Sequence, residues 1–195
     1  MKKGTIASCA LCIMLFAIGP TISSCDDGDY KTMSVKEGIQ AFTFEYPEDY
    51  QLIRLSLENS PAARYTEVGL STNDGDNFSE VYVYLWVPDA NTSTAGQIMD
   101  GLLAQAGAMT DFNLLNNTTV MLGDVLAYQS VFTADSAMPS SDNTTGTVPR
   151  PATFRVTSIV YPRLAAEISM TCDSAIADAT ADDYTHLLDT FGILN

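Results

Sequence analysis

Apolar and polar residues alternate with a period of two over much of this chain, and two shorter stretches switch to the spacing of a helix. Phe42, Phe44 and Tyr46 alternate with Thr43 and Glu45, which predicts a half-buried strand ended by Pro47. Ile53, Leu55 and Leu57 alternate with Arg54, Ser56 and Glu58, and the turn Pro47-Glu48-Asp49-Tyr50 predicts that these two strands form a hairpin. A weaker strand over 65–70 precedes Asn73-Asp74-Gly75-Asp76-Asn77, in which Asp74-Gly75 is hairpin turn chemistry. The run over 78–87, FSEVYVYLWV, is apolar on both faces and predicts the central strand of a sheet.

Thr94 with Gln97 three residues on forms a capping box. Ile98, Met99, Leu102, Leu103, Ala106 and Met109 then continue as the stripe of a helix that should cover one sheet face. Strands over 118–122 and 125–134 flank Gly123-Asp124, a dipeptide suited to a two-residue turn. Residues 135–151 are polar and rich in Pro, Ser and Thr, which predicts a loop. Strands over 152–161 and 164–171 turn at Pro162-Arg163, and Thr180 is placed to cap a last helix with Tyr184, Leu187, Leu188 and Phe191 on one face. The order strands, helix, strands, helix predicts an α+β fold, an antiparallel sheet flanked by helices.

Residues 26–40, DDGDYKTMSVKEGIQ, follow neither period and predict a flexible tether over 25–40 ahead of a single domain over 41–195. What precedes them resembles the export signal of bacterial lipoproteins. Lys2 and Lys3 give it a positive start, residues 6–18 an apolar stretch, and Ile22-Ser23-Ser24-Cys25 a small-residue site closed by cysteine. The stretch is shorter than the roughly 20 residues that cross a bilayer. The resemblance implies a signal peptide over 1–24, removed in the mature protein, and a thioether-linked diacylglycerol on Cys25. It also implies a place in the cell envelope, on the extracytoplasmic side of a bacterial membrane, where two acyl chains hold a protein stably.

Within the domain, Phe42-Thr43-Phe44-Glu45-Tyr46-Pro47 followed by Tyr50 resembles the opening strand and aromatic turn of the PsbP-like superfamily, which also holds the Mog-type proteins and many bacterial lipoproteins. Gly123-Asp124-Val125-Leu126-Ala127-Tyr128 is similar to that family's Gly-x-x-Ala-Tyr strand start, and residues 184–191 stand where its closing helix would. The resemblance covers about residues 41–193 and implies a PsbP-like sheet. It carries no motif specific to a photosynthetic or Ran-related role.

Charge and chemistry narrow the function. The chain holds 24 acidic and 9 basic residues for a formal charge of −15, and loss of Lys2 and Lys3 with the leader takes this to −17. Such a surface repels nucleic acid. Cys9 and Cys12 form a C-x-x-C inside the leader, and once Cys25 is acylated only Cys172 remains, a buried and inert thiol with no disulfide partner. No nucleophile elbow, H-E-x-x-H, P-loop or dinucleotide glycine pattern occurs, so neither an enzyme nor a cofactor is expected.

Three clusters stand out. Asp182, His186 and Asp189 fall at i, i+4 and i+7 of the last helix, where they could hold a divalent cation or form an ordinary solvated acidic face, the reading we prefer. Asp74, Asp76 and Glu80 fall short of a calcium loop. Tyr82, Tyr84 and Trp86 share one face of the central strand, where aromatics form either a partner or ligand surface or core beneath a helix. The leading expectation is a lipid-anchored, non-catalytic module that docks to another envelope protein. A binding protein for a small apolar ligand or metal ion comes second and an unrecognised hydrolase third. A cavity walled by the aromatics would favour the second reading, and a flat face or groove the first.

Overall fold

The computed structural model describes residues 29–60, 64–73, 77–88, 94–139 and 147–194. The leader, Cys25, Asp74 and Asp76 lie outside the described residues. In chain order the elements are β1 (Tyr30–Val35), β2 (Phe42–Pro47), β3 (Gln51–Asn59), β4 (Arg64–Asn73), β5 (Phe78–Trp86), α1 (Ala95–Ala106), β6 (Asn113–Leu122), β7 (Val125–Pro139), β8 (Thr147–Tyr161), β9 (Leu164–Asp173), α2 (Ala181–Thr190) and β10 (Gly192–Ile193). A seven-stranded antiparallel sheet runs β3-β4-β5-β9-β8-β7-β6, and β1-β2-β10 form a second, three-stranded sheet.

The main core lies on one face of the large sheet. Val81, Val83 and Leu85 of β5 and Ala166, Ile168 and Met170 of β9 point into it and are fully buried against Phe42 and Phe44 of β2 and Leu187 of α2. Each of these side chains larger than alanine contributes roughly 1.5–3 kcal/mol by leaving water. Tyr184 of α2 is also buried, and its hydroxyl is placed by donating to the Ile168 carbonyl at 2.8 Å and lying 2.8 Å from Thr157 Oγ1. The buried phenol therefore keeps its hydrogen bonds. On the opposite face α1 packs mainly on β7 and β8, through Met99 and Ala106 against Phe132 and Val156. Ser158 Oγ donates to the Ala95 carbonyl at 2.7 Å and pins the start of that helix.

Local signals fixed the start of α1 and the β6–β7 turn as expected. Thr94 Oγ1 accepts from Gln97 N at 3.2 Å while Gln97 Oε1 accepts from Thr94 N at 3.0 Å, which is the capping box. Gly123 turns β6 into β7 with φ +57°, a conformation glycine adopts without steric cost.

Four expectations need correction. The fold begins before Ala41, because β1 occupies residues of the expected tether over 25–40: Met33 and Val35 are 2% and 0% exposed and pair with Phe44 and Phe42. The β2–β3 hairpin does not form. Both edges of β2 are taken, by β1 and β10, and the turn at Pro47, closed by Tyr50 N donating to the Pro47 carbonyl, passes the chain to the other sheet. Much of 135–151 is strand, because β7 and β8 stay paired as far as Pro139↔Thr147. Thr180 precedes α2 without capping it by its side chain; its hydroxyl bonds the Ile176 carbonyl and Cys172 Sγ instead.

Candidate functional site

Alternation along β5 places Tyr82, Tyr84 and Trp86 on the face away from the main core, where each is half-buried. Since α1 stops over β7 and β8, the part of this face made by β3, β4, β5 and β9 has no helix on it among the described residues. The aromatic triplet is thus neither core nor covered by α2, which packs on the other side.

Register builds the rest of the site. The β4–β5 ladder sets Tyr65 opposite Trp86, Glu67 opposite Tyr84 and Gly69 opposite Tyr82, and the β5–β9 ladder adds Ser169 beside Tyr82 and Glu167 beside Tyr84. Tyr65, Tyr84 and Trp86 form a continuous aromatic row, with ring centroids 5.6 Å apart for the first pair and 5.3 Å for the second. The first contact is diagonal between β4 and β5 and the second runs along β5, and aromatic contacts of this kind add to the stability of a sheet surface. Gly69 is required here: a Cβ at that position would lie 2.7 Å from Cε1 of Tyr82, whose ring lies across the glycine backbone.

Beside the row the polarity changes. Arg54 Nε donates to Glu67 Oε2 at 2.8 Å, with the arginine half-exposed and the glutamate largely covered. Arg54, Glu67, Tyr82, Tyr84, Glu167 and Ser169 line a shallow, open groove of about 390 Å³. Burial raises the Glu167 carboxyl above its ordinary value, and burial likewise raises the Tyr82 and Tyr84 phenols. The groove thus offers flat aromatic surface, one cation and two carboxylates. It does not enclose a small molecule.

The histidine cluster is arranged differently from its sequence spacing. Asp182 and Asp189 are exposed, and His186 turns from them: its Nε2 lies 2.7 Å from Glu45 Oε2 of β2, and its ring stacks on Tyr30 of β1 at 3.8 Å. The Tyr30 hydroxyl donates to Asp183 Oδ1 at 3.0 Å. The cluster ties α2 to the small sheet. Among the described residues no group of three His, Cys, Asp or Glu side chains is gathered to hold a metal ion, so Asp182, His186 and Asp189 do not converge on one. Cys172 is buried, its thiol raised by burial, and it accepts from Thr180 Oγ1 at 3.3 Å. No helix among the described residues is long and apolar enough to cross a membrane.

Sequence reasoning had located Tyr82, Tyr84 and Trp86 but not Arg54, Tyr65, Glu67 or Glu167, nor Glu45 and Tyr30 as partners of His186. A register for β4 on β5, anchored by the inward set Val68, Leu70, Val81 and Val83, is the one signal that would have found Tyr65 and Glu67.

The architecture is α+β and PsbP-like. No protein-family model matches the chain, and no curated protein sequence does so significantly. The likeness is to solved structures. LpqN, involved in cell envelope biogenesis of Mycobacterium tuberculosis, superposes with a TM-score of 0.53 at 13% identity, over 86% of this chain and 93% of its own. Cyanobacterial PsbP from Synechocystis sp. PCC 6803 does so at 0.51 and 10% identity, over 94% and 99%. Identities this low establish the fold alone.

Proposed function

We propose that this protein is a non-catalytic docking module of the bacterial cell envelope, held by lipid on Cys25, which takes a protein partner on the open half of its large sheet. The observation that carries this reading is the form of the site: an aromatic row beside an Arg54–Glu67 pair in a shallow groove, not an enclosed apolar cavity. Protein interfaces concentrate binding energy in Tyr, Trp and Arg side chains at the centre of such patches. A small ligand is instead held in a pocket that buries most of its surface. The role of LpqN in cell envelope biogenesis supports the same setting. A lipid anchor suits docking, since confinement to a membrane surface raises the effective concentration of a neighbouring partner.

The experiment compares capture and folding on the same variants. Membrane proteins retained by the full chain are identified, and retention is then measured for Tyr84→Ala, Trp86→Ala and Val83→Ala. Tyr84→Ala and Trp86→Ala should each weaken capture by more than about 1 kcal/mol while unfolding stays cooperative. Val83→Ala, on the core face, should lose stability instead. Equal capture by all three, or turnover of a model ester or peptide by the purified protein, would contradict the reading. The anchor is tested separately: Cys25→Ser should abolish incorporation of acyl label and release the protein from membranes.

A further inference from the structure

We infer that β6, one edge of the large sheet, pairs with β6 of a second copy to join two seven-stranded sheets into one antiparallel sheet. An edge strand presents a row of unpaired backbone donors and acceptors, and proteins protect such edges with charge, proline or brevity. β6 has none of these protections: its ten residues, NLLNNTTVML, carry no ionisable side chain and no proline in a chain of formal charge −15. Residues 113–119 are all exposed, and among the described residues no strand pairs with its outer side. Leu114, Leu115 and Met121 stand 43%, 56% and 59% exposed, beside Leu126 of β7 at 50%. The opposite edge, β3, is protected by Arg54 and Glu58.

The pattern of β6 selects its own copy as the occupant. A two-fold interface brings residue i against j and j against i, so the strand must complement itself. Opposed residues must also share a sheet face, which places a residue and not a peptide bond on the axis. With Thr118 on the axis, Asn117 faces Thr119 and Asn116 faces Val120. The bulge between Leu114 and Asn116 leaves Leu115 as the extra residue, so that Leu114 comes opposite Met121. Polar residues then meet in the middle, and at both ends Leu114 of one copy continues the apolar pair Met121↔Leu126 of the other. Centring on Asn117 would oppose Leu114 to Thr119 and carry Met121 past Asn113, the first residue of the strand.

The register makes the test specific. In membranes carrying the full chain, Thr118→Cys should form a disulfide with itself under mild oxidation, because opposed Cα atoms in an antiparallel pair lie about 4.5–5.5 Å apart, within disulfide reach. Asn116→Cys should not, because its counterpart lies four residues away along the strand, roughly 13 Å, beyond the 7 Å limit. The unsubstituted chain sets the background from Cys9, Cys12 and Cys25. Thr118→Lys, which sets like charges on the axis at an exposed position, should convert the detergent-extracted chain from two copies to one while its unfolding stays cooperative. The proposal is overturned if the unsubstituted chain is monomeric, if Asn116→Cys cross-links as readily as Thr118→Cys, or if Thr118→Cys traps a different protein instead of its own copy.

Discussion

Replacing Met33 with alanine decides whether the residues before Ala41 belong to the fold. A tether would be indifferent to the change. In the structure Met33 is 2% exposed and faces the main core from β1, paired with Phe44, and Val35 beside Phe42 is fully buried. Truncating a buried methionine removes its transfer free energy and leaves a cavity, together about 2–5 kcal/mol. Val35→Ala removes less, about 1–2 kcal/mol at roughly 0.8 per methylene-sized group plus a small cavity. Thr32 sits on the alternate face of β1 and is half-buried, so Thr32→Ala should stay within about 0.5 kcal/mol. For a chain of this size 1 kcal/mol moves the melting temperature by about 2–4 °C, so Met33→Ala should melt at least about 4 °C below the parent. Urea unfolding of the full chain followed by far-ultraviolet circular dichroism gives the same ranking through the transition midpoints. Should Met33→Ala unfold with Thr32→Ala and the parent, β1 would not be an integral strand and the reasoning fails.

Thr94→Ala removes the bond from Gln97 N to the Thr94 hydroxyl while leaving the backbone N–H of residue 94 to donate to Gln97 Oε1, and should cost about 0.5–2 kcal/mol, read as a lowered urea midpoint; no change would mean that the remaining bond and the Ser158 contact hold the start of α1. Glu167 has its folded-state pKa raised by burial, so the folded chain holds that proton more tightly than the unfolded chain, and stability falls as pH rises from its ordinary value of 4.5 through the raised value. Glu167→Gln should flatten that part of the pH–stability curve and raise the urea midpoint at pH 7, and an unchanged slope would show that the carboxyl stays hydrated. Gly69→Ala forces a Cβ to 2.7 Å from the Tyr82 ring and should cost about 1–3 kcal/mol while displacing that ring from the docking face, to be checked by melting and by partner capture together. His186→Gln breaks a half-exposed pair with Glu45 and should cost less than about 1 kcal/mol, and a zinc-dependent rise in the melting temperature of the parent that this variant abolishes would restore the metal reading.

What the sequence made legible was short in range. The capping box at Thr94 and Gln97, the Gly123 turn and the alternation of β5 each declare themselves within a few residues. Pairings across the chain were hidden. Nothing within 42–57 tells that β2 will take β1 and β10 as neighbours, since β10 follows it by about 150 positions. β1 escaped notice because only Met33 and Val35 carry its apolar face, in a segment otherwise polar. The site divides along the same line. Three aromatics two residues apart on one strand could be read directly, whereas Arg54, Glu67 and Glu167 come from three other strands and join them only through register. His186 went to Glu45, 141 positions away, and not to the acidic residues on its own helix, because β2 packs against α2 while Asp182 and Asp189 face water.

The shortened tether constrains the proposed docking geometry. With β1 beginning at Tyr30, four residues separate Cys25 from the folded domain, so the five Cα-to-Cα steps from Cys25 to Tyr30 reach at most about 18 Å when fully extended. A 15-residue tether would have let the domain rotate freely and sample partners well clear of the membrane. Were Cys25 lipidated as proposed, four residues would hold the start of β1 near the headgroups, and with it Tyr30, His186 and Asp183, whose contacts join β1 to α2. The small sheet and α2 pack on one face of the large sheet and the aromatic row lies on the other. An anchor through β1 would therefore act on the core side of the molecule and leave the proposed docking face outside the anchored layer. The same alternation that buries Val81, Val83 and Leu85 turns Tyr82, Tyr84 and Trp86 outward. A slip of one residue in the β4–β5 register would exchange the two sets, so the packing that stabilises the fold also fixes which way the docking face points.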